Sequence, residues 1–528
     1  MAGQEHETDV TALFQQGLAL HRQGHLADAN RAYSRVLARQ AAHFDALYLS
    51  GVIASQSQQP QLALERIAQA IAINPDVAPV HCSYGNVLLE LSRCEDAIAS
   101  YDRAIAINPE ISEAHYNRGL ALRKIRRSAD AIASYDRAIA LRPDYAEAHA
   151  NRANALLDLK CHAQAIASYD RAIAILPGYA QAHTNRGLAL LELKRPEEAI
   201  ASHDRAIAIR PDLAEAYWNK SLTLLTFGQL EEGWELYEWR WKRDKALQQA
   251  ARGFAQPRWF GSENLAGKTV LLYAEQGMGD TIQFCRYAKL VKTLGATVVL
   301  EVPRPLMDLF NGLEGVDVLV ETGRELPASD YHCPLLSLPL AFRTNLANIP
   351  NAGPYLRSSA DRRAIWEQRL GSRTKPRVGL VWRGNAAYKN DRNRSLLLTE
   401  VMQHLPQTLD YISLQKETSD DEKRVLGNAG IRHYGDDLRD FADTAALCDL
   451  VDVVVSVDTS VAHLAGAMGK TTFIALPYSP DWRWLLNRDD SPWYDSVTLY
   501  RQNNDMLWSP VLSRISRDLL QGRGVPAI

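Results

Sequence analysis

The sequence predicts two architectures in tandem: an all-α repeat solenoid, then an α/β domain made of two parallel-sheet lobes around a cleft. Three observations carry this. Prolines Pro75, Pro109, Pro143, Pro177 and Pro211 recur every 34 residues, and a fixed period of that length marks a solenoid. Beyond about residue 268 the period disappears, and apolar β-branched runs alternate with helical stretches, the pattern of a parallel sheet with right-handed crossovers. At 528 residues the chain is also too long for a single core.

The repeated phrase reads AIASYDRAIAINP, AIASYDRAIALRP, AIASYDRAIAILP and AIASHDRAIAIRP. Each unit reads as helix, turn, helix. Gly119 and Gly187 on the first helix, and Ala97, Ala131, Ala165 and Ala199 on the second, are the small residues where two helices cross; Tyr101, Tyr135 and Tyr169 supply the larger contact. The proline ends the second helix, because the residue before a proline avoids helical backbone. In period and signature residues the units resemble the tetratricopeptide repeat. Looser units at about 10–43 and 214–247 bring the count to about seven, so residues 1–247 are expected to form the solenoid.

Stacked repeats of this kind present a concave face made by their first helices. Asn117, Asn151, Asn185 and Asn219 share one position of successive first helices. Facing the groove, they would form a ladder of amides for the main chain of an extended polypeptide. O-GlcNAc transferase, a family with the same domain order, holds its substrate protein on a similar ladder; capping or bridging of neighbouring repeats is the other reading. Arg118, Arg152, Arg186 and Lys220 follow the asparagines and are expected to be a solvated row. In GWELYEWRWK, Trp234, Tyr237 and Trp241 fall on one helical face, as expected of a last helix docking onto the next domain.

A linker is expected at 248–268, a first lobe at 269–360 and a second at 361–528. Strands are expected at 269–275, 297–302, 316–320, 377–384, 411–415, 453–457 and 471–477, with helices at 281–294, 419–428, 443–450 and 510–520. HCPLLSLPLAF, from His332, reads as a loop and a short element. The run Val453–Val457 stops at Asp458, Thr459 and Ser460, three residues suited to a helix N-cap. A helix N-terminus at the carboxyl edge of a parallel sheet suits a phosphate. The loop after 377–384 adds Lys389, Arg392 and Arg394 at the same edge.

Other classes lack their signatures. There is no G-x-G-x-x-G, no phosphate-binding GxxxxGK[ST] and no G-x-S-x-G. A formal net charge of -3 gives no general attraction to nucleic acid. Six scattered cysteines without a CxxC pair read as thiols of a reducing compartment. The N-terminus has no signal-peptide pattern, and no apolar run reaches the roughly 20 residues of a membrane helix. A cytoplasmic location follows as the expectation.

EQGMGDTIQFCRYA and VDTSVAHLAGAMGK resemble the first turn and the D-T-x-x-x-H-x-A-x-A-x-G donor motif of the heptosyltransferase-like glycosyltransferases (family 9), in the order that family requires. The resemblance implies a GT-B fold, here with a short first lobe, and inverting transfer from a nucleotide sugar. It implies Asp280 as the base, Gly277 and Gly279 on the acceptor side, and Lys389, with Arg392 and Arg394, on the donor phosphates. Thr459 and Ser460 would offer N–H groups. Asp458 would fix the turn or accept from a sugar or ribose hydroxyl, and His463 would donate to a phosphate or simply pack. Gln415 and the Asp443–Thr444 pair would line the base pocket, while Trp482 and Trp484 read as core. No Asp-x-Asp follows a strand, so neither metal nor cofactor is expected beyond the nucleotide-sugar co-substrate. The function expected is a protein glycosyltransferase, its acceptor by analogy a bacterial flagellin or adhesin. The alternatives are an inactive repeat scaffold for protein–protein interaction and a transferase acting on lipopolysaccharide or another glycan.

Overall fold

The computed structural model describes residues 2–244, 253–385 and 391–524, with side chains except those of residues 2–8 and Arg392. The chain divides into two compact units, Met1–Asp212 and Leu213–Ile528.

The first unit is a solenoid of six helix pairs, from Ala2–Arg22 with Leu26–Arg39 to Ala180–Glu192 with Pro196–Ile209. Its turns show why the period is 34. The residue that closes each pair's first helix is left-handed: Gly24, then Gln58, Ser92, Arg126, Lys160 and Lys194, with φ between 55° and 62° at the five that carry side chains. Second helices stop at Ile73 and Ile107, just ahead of Pro75 and Pro109, as a proline demands. Within a pair the helices cross where glycine meets tyrosine. A Cβ on Gly119 would lie 2.6 Å from Cε1 of the fully buried Tyr135.

The arginine row is not a solvated face. Arg118 donates from Nε to Asp102 (2.6 Å) and from Nη1 to Ser134 (2.7 Å). Arg152 repeats this with Asp136 and Ser168, and Arg186 with Asp170 and Ser202, every bond at 2.6 Å. Each guanidinium thus clamps its own repeat to the one before it. The fork of an arginine reaches an anion and a hydroxyl at once, which suits a seam between three helices.

The second unit opens with a seventh helix pair, Ala214–Thr226 and Leu230–Tyr237. The division therefore precedes the expected boundary at 247. Aromatic packing is the cause. Trp234 is buried, donates from Nε1 to the Thr344 carbonyl (3.1 Å), and meets Phe284 and Trp482 edge to face. The buried Arg240 adds bonds to Glu238 (2.5 Å), Glu275 (3.2 Å) and Ser337 (2.8 Å). Part of the expected linker at 248–268 lies outside the described residues.

Two all-parallel sheets follow. The first is formed by β1 (Thr269–Tyr273), β2 (Thr297–Val302), β3 (Val318–Glu321) and β4 (Tyr331–Pro334) in the order β3-β2-β1-β4. The second holds β5 (Arg377–Val381), β6 (Asp410–Ser413), β7 (Arg432–His433), β8 (Val453–Val457), β9 (Thr471–Leu476) and β10 (Val497–Arg501) in the order β10-β9-β8-β5-β6-β7. β5, β8 and β9 are almost wholly buried, as strands covered on both faces must be.

Three strands differ from expectation. β4 lies in the stretch read as a loop, and β7 and β10 are additional. The helix expected at 281–294 is two, Met278–Phe284 and Tyr287–Thr293. The buried Arg286 sits at the break, where its guanidinium bonds the carbonyls of Gln283 (2.9 Å) and Trp493 (2.7 Å). All six cysteines are free.

Candidate functional site

Each sheet has a point where the strand order reverses, beside β1 in the first and β5 in the second. Crevices at the carboxyl ends of strands at such points are where open α/β sheets bind ligands. The turn after β1 leads into the helix Met278–Phe284, and the turn after β8 into the helix Ser460–Ala467. These helices touch. A Cβ on Gly279 would fall 3.1 Å from His463 Cδ2 and 3.4 Å from Ser460 Cα, so a glycine is what lets the two turns close on each other.

Asp280 serves the turn and the contact together. Its Oδ2 accepts from the Gly277 N–H at 2.9 Å, the returning half of a capping box. Its Oδ1 is bonded by Arg483, from the loop after β9. Arg483 is buried, and its Nη1 also reaches Asp481 Oδ1 (2.8 Å) while its Nε reaches Gln283 Oε1 (3.0 Å). Burial pushes the Asp280 carboxyl up from its ordinary value, against the pull of Arg483. Burial opposes the charge on Arg483, but Asp481 and Asp280 outweigh it and raise that group above an ordinary arginine.

Opposite Gly279, His463 is held on three sides. Nδ1 shares a hydrogen bond with the Tyr494 hydroxyl (3.0 Å), Nε2 lies 3.9 Å from Asp458, and the ring stacks on Trp484 at 5.1 Å. Burial, reinforced by Arg483, Arg286 and Arg394, keeps its pKa well below the ordinary histidine value, so the ring is neutral. Burial and the neighbouring Asp481 raise Asp458. Thr459 is the N-cap, with no bond from its side chain to the helix; its hydroxyl lies 3.2 Å from Ser456 Oγ. Ser460 begins the helix.

The expected cation loop is described in part. Lys389 lies outside the described residues, as does the side chain of Arg392. Arg394 reaches Asp391 at 3.3 Å and is close enough to Asp458 to bias its titration. Gln415 is buried after β6 and accepts from the Arg383 N–H at 3.4 Å. Asp443 is engaged elsewhere: its carboxylate accepts from Arg362 (3.1 Å), Trp366 Nε1 (3.1 Å) and Arg439 (3.0 Å), which is an anchor for a helix rather than the wall of a base pocket. Trp482 and Trp484 are core, as expected. Arg483, between them, is the residue the sequence reading missed. The signal was there, a charged pair alternating with two tryptophans in D-W-R-W. Among the described residues no group of three or more His, Cys, Asp or Glu is placed to hold a metal ion, and no helix is long and apolar enough to cross a membrane.

In the repeats the asparagines bridge. Asn117 donates to Asn86 (2.9 Å) and Asn185 to Asn154 (3.0 Å), each one repeat back. Asn151 donates to the Tyr116 hydroxyl at 3.0 Å. All three remain half-buried. In the second unit Asn219 is buried, and its Nδ2 has no hydrogen-bond partner among the described residues.

A tetratricopeptide-repeat family model matches residues 14–78, 85–145 and 118–180, and a second one matches 180–213. The N-terminal part is a tetratricopeptide-repeat array. Protein FlbA of Caulobacter vibrioides (strain ATCC 19089 / CIP 103742 / CB 15) is 30% identical over 323 residues, 55% of this chain and 52% of FlbA. The chain thus spans about half the length of that curated relative. Among solved structures, MamA is 22% identical over 33% of this chain and 94% of its own, with a TM-score of 0.31. PilF of Pseudomonas aeruginosa is 20% identical over 40% and 96%, with a TM-score of 0.36.

Proposed function

We propose that the chain is a metal-independent protein glycosyltransferase of GT-B architecture. A nucleotide sugar docks at the carboxyl edge of the second sheet, and the tetratricopeptide array holds the acceptor polypeptide. One observation carries the reading: the turns at the reversal points of two parallel sheets converge at Gly279, with Asp280 on one side and Thr459, Ser460 and His463 on the other. The N–H groups at Thr459 and Ser460 would meet leaving-group charge, together with Lys389, Arg392 and Arg394. Asp280 would take the proton of the acceptor hydroxyl. The half-buried amides of Asn117, Asn151 and Asn185 would contact the main chain of the acceptor. FlbA supplies a relative but no activity.

The test is a thermal-shift and calorimetric screen of the full chain with UDP, GDP, ADP and CMP sugars. Mass spectrometry of a lysate incubated with the stabilising donor then reads transfer. The expected result is one nucleotide class that raises the melting temperature, followed by a mass gain on a protein equal to that donor's sugar residue. Stabilisation by none of them refutes the reading. It would favour the inactive scaffold, which the occupied carboxylate of Asp280 supports.

A further inference from the structure

We propose that Arg483 is the positioning residue of the reaction centre: it spans the two sheets to aim Asp280, and the seventh helix pair holds Arg483 in place. The inference rests on the glycosyl-transfer reading for the role of Asp280, while the geometry stands by itself. Arg483 is the point where elements of three origins meet. Its guanidinium bonds Asp280 and Gln283, both on the helix after β1 of the first sheet. Its own backbone belongs to the loop after β9 of the second sheet, where Asp481 accepts from the Arg483 N–H (3.0 Å) and from its Nη1 (2.8 Å). The guanidinium carbon lies 4.1 Å from the ring centre of Trp482, and Trp482 packs edge to face on Trp234 (5.1 Å) and Tyr237 (6.1 Å) of the seventh pair.

A guanidinium fixed this way does two things for a carboxylate base. It holds one oxygen in place, so that the free lone pairs point in one direction. It also favours the ionised form in a buried site, where burial by itself disfavours the charge. In the step this serves, the acceptor oxygen bonds to the anomeric carbon and the bond from that carbon to the diphosphate oxygen breaks. The electron pair leaves with the diphosphate, and the hydroxyl proton passes to Asp280. Among the described residues, the titratable and charged groups that bear on Asp280 are Arg483 and Asp481 from the loop after β9, Glu275 from the turn after β1, and Tyr237 from the seventh pair. Of these Arg483 is the cation, and it favours the ionised form together with the hydrogen bond from the Gly277 N–H. Asp481 opposes it.

Two substitutions therefore act in opposite directions. In the full chain with 13Cγ-labelled aspartate, Arg483→Met should move the NMR titration of Asp280 upward by roughly 1–3 pH units. Asp481→Asn, which keeps the capping oxygen, should move it downward. The Asp280 resonance is assigned by Asp280→Asn. The acid limb of the pH–kcat/KM profile should follow both shifts. Arg483→Lys restores the charge without the fork, so it should bring the limb back toward wild type while kcat stays about 10²-fold low, the usual cost of a misaimed group. Tyr237→Phe should leave the titration within a few tenths of a pH unit of wild type, since its role here is packing. An unmoved titration in both Arg483→Met and Asp481→Asn overturns the proposal. So does an acid limb that ignores the shifts. If the wild-type protein binds no nucleotide sugar and transfers nothing, the glycosyltransferase reading fails, and the NMR titration still decides whether Arg483 governs Asp280.

Discussion

Truncating Trp234 to alanine tests where the repeats end and the α/β unit begins. The indole is 1% exposed, packs on Tyr237, Phe284 and Trp482, and donates to the Thr344 carbonyl. Removing a buried tryptophan costs about 3–5 kcal/mol, including the cavity left behind. The second unit runs from Leu213 to Ile528. At about 2.1 cal/mol/K per residue its unfolding entropy near 60 °C is about 0.7 kcal/mol/K. The expected fall in its melting temperature is therefore about 4–7 °C. The assay is differential scanning calorimetry of wild type and Trp234→Ala, with near-UV circular dichroism following the tryptophan-rich unit. Repeats fold by nearest-neighbour interactions, so the transition of the array should stay within about 1 °C. If the array's transition drops and the α/β transition stays, Trp234 belongs to the solenoid and the division at Asp212 is wrong.

Lys160 occupies a left-handed turn at φ 60°. Lys160→Val should lower stability in urea by about 1–2 kcal/mol, whereas Lys160→Gly should be neutral or slightly stabilising; equal stability of the two variants would remove strain from the account of the turns. Glu275 is pushed up to about 7 by burial. The folded state then holds a proton that the unfolded state releases near 4.5, so this group's contribution is present at low pH and is lost as pH rises from about 4.5 to about 7. Relative to wild type, Glu275→Gln should gain on the order of 3 kcal/mol between pH 4.5 and 8 in chemical denaturation; a pH-independent gap refutes it. Arg186→Met cuts a clamp whose side chain is 21% exposed. It should cost about 1 kcal/mol or less, since half-exposed pairs are screened, and the loss should shrink in 1 M salt.

The repeats were legible because one phrase recurs unchanged, and period is the strongest signal a sequence carries. Strands β5, β8 and β9 were legible because both faces are buried, which makes each a continuous apolar run. β4 was not, since its residues, Tyr331 to Pro334, include a histidine and a proline and form no such run. The clamp was readable in principle. Asp102 and Ser134 each lie sixteen residues from Arg118, and the same spacing recurs at Arg152 and Arg186. It was missed because a charge next to a half-polar helix face suggests solvent until a partner is seen. The pairing of Arg483 with Asp280 joins residues 203 apart. No local pattern encodes such a pair; only the meeting of two sheets brings it about.

The clamp also bears on how such an array changes length. Every guanidinium looks back to the preceding repeat's aspartate and forward to its own repeat's serine, and these partners are the same at each joint. Excising or duplicating one whole 34-residue module between Asp102 and Ser202 would therefore fuse two joints of identical chemistry and leave every remaining clamp complete. A cut that is not a whole number of modules breaks that spacing and strands an arginine. Reach along the solenoid is thus adjustable in whole steps of one repeat, with the clamp intact at each new joint.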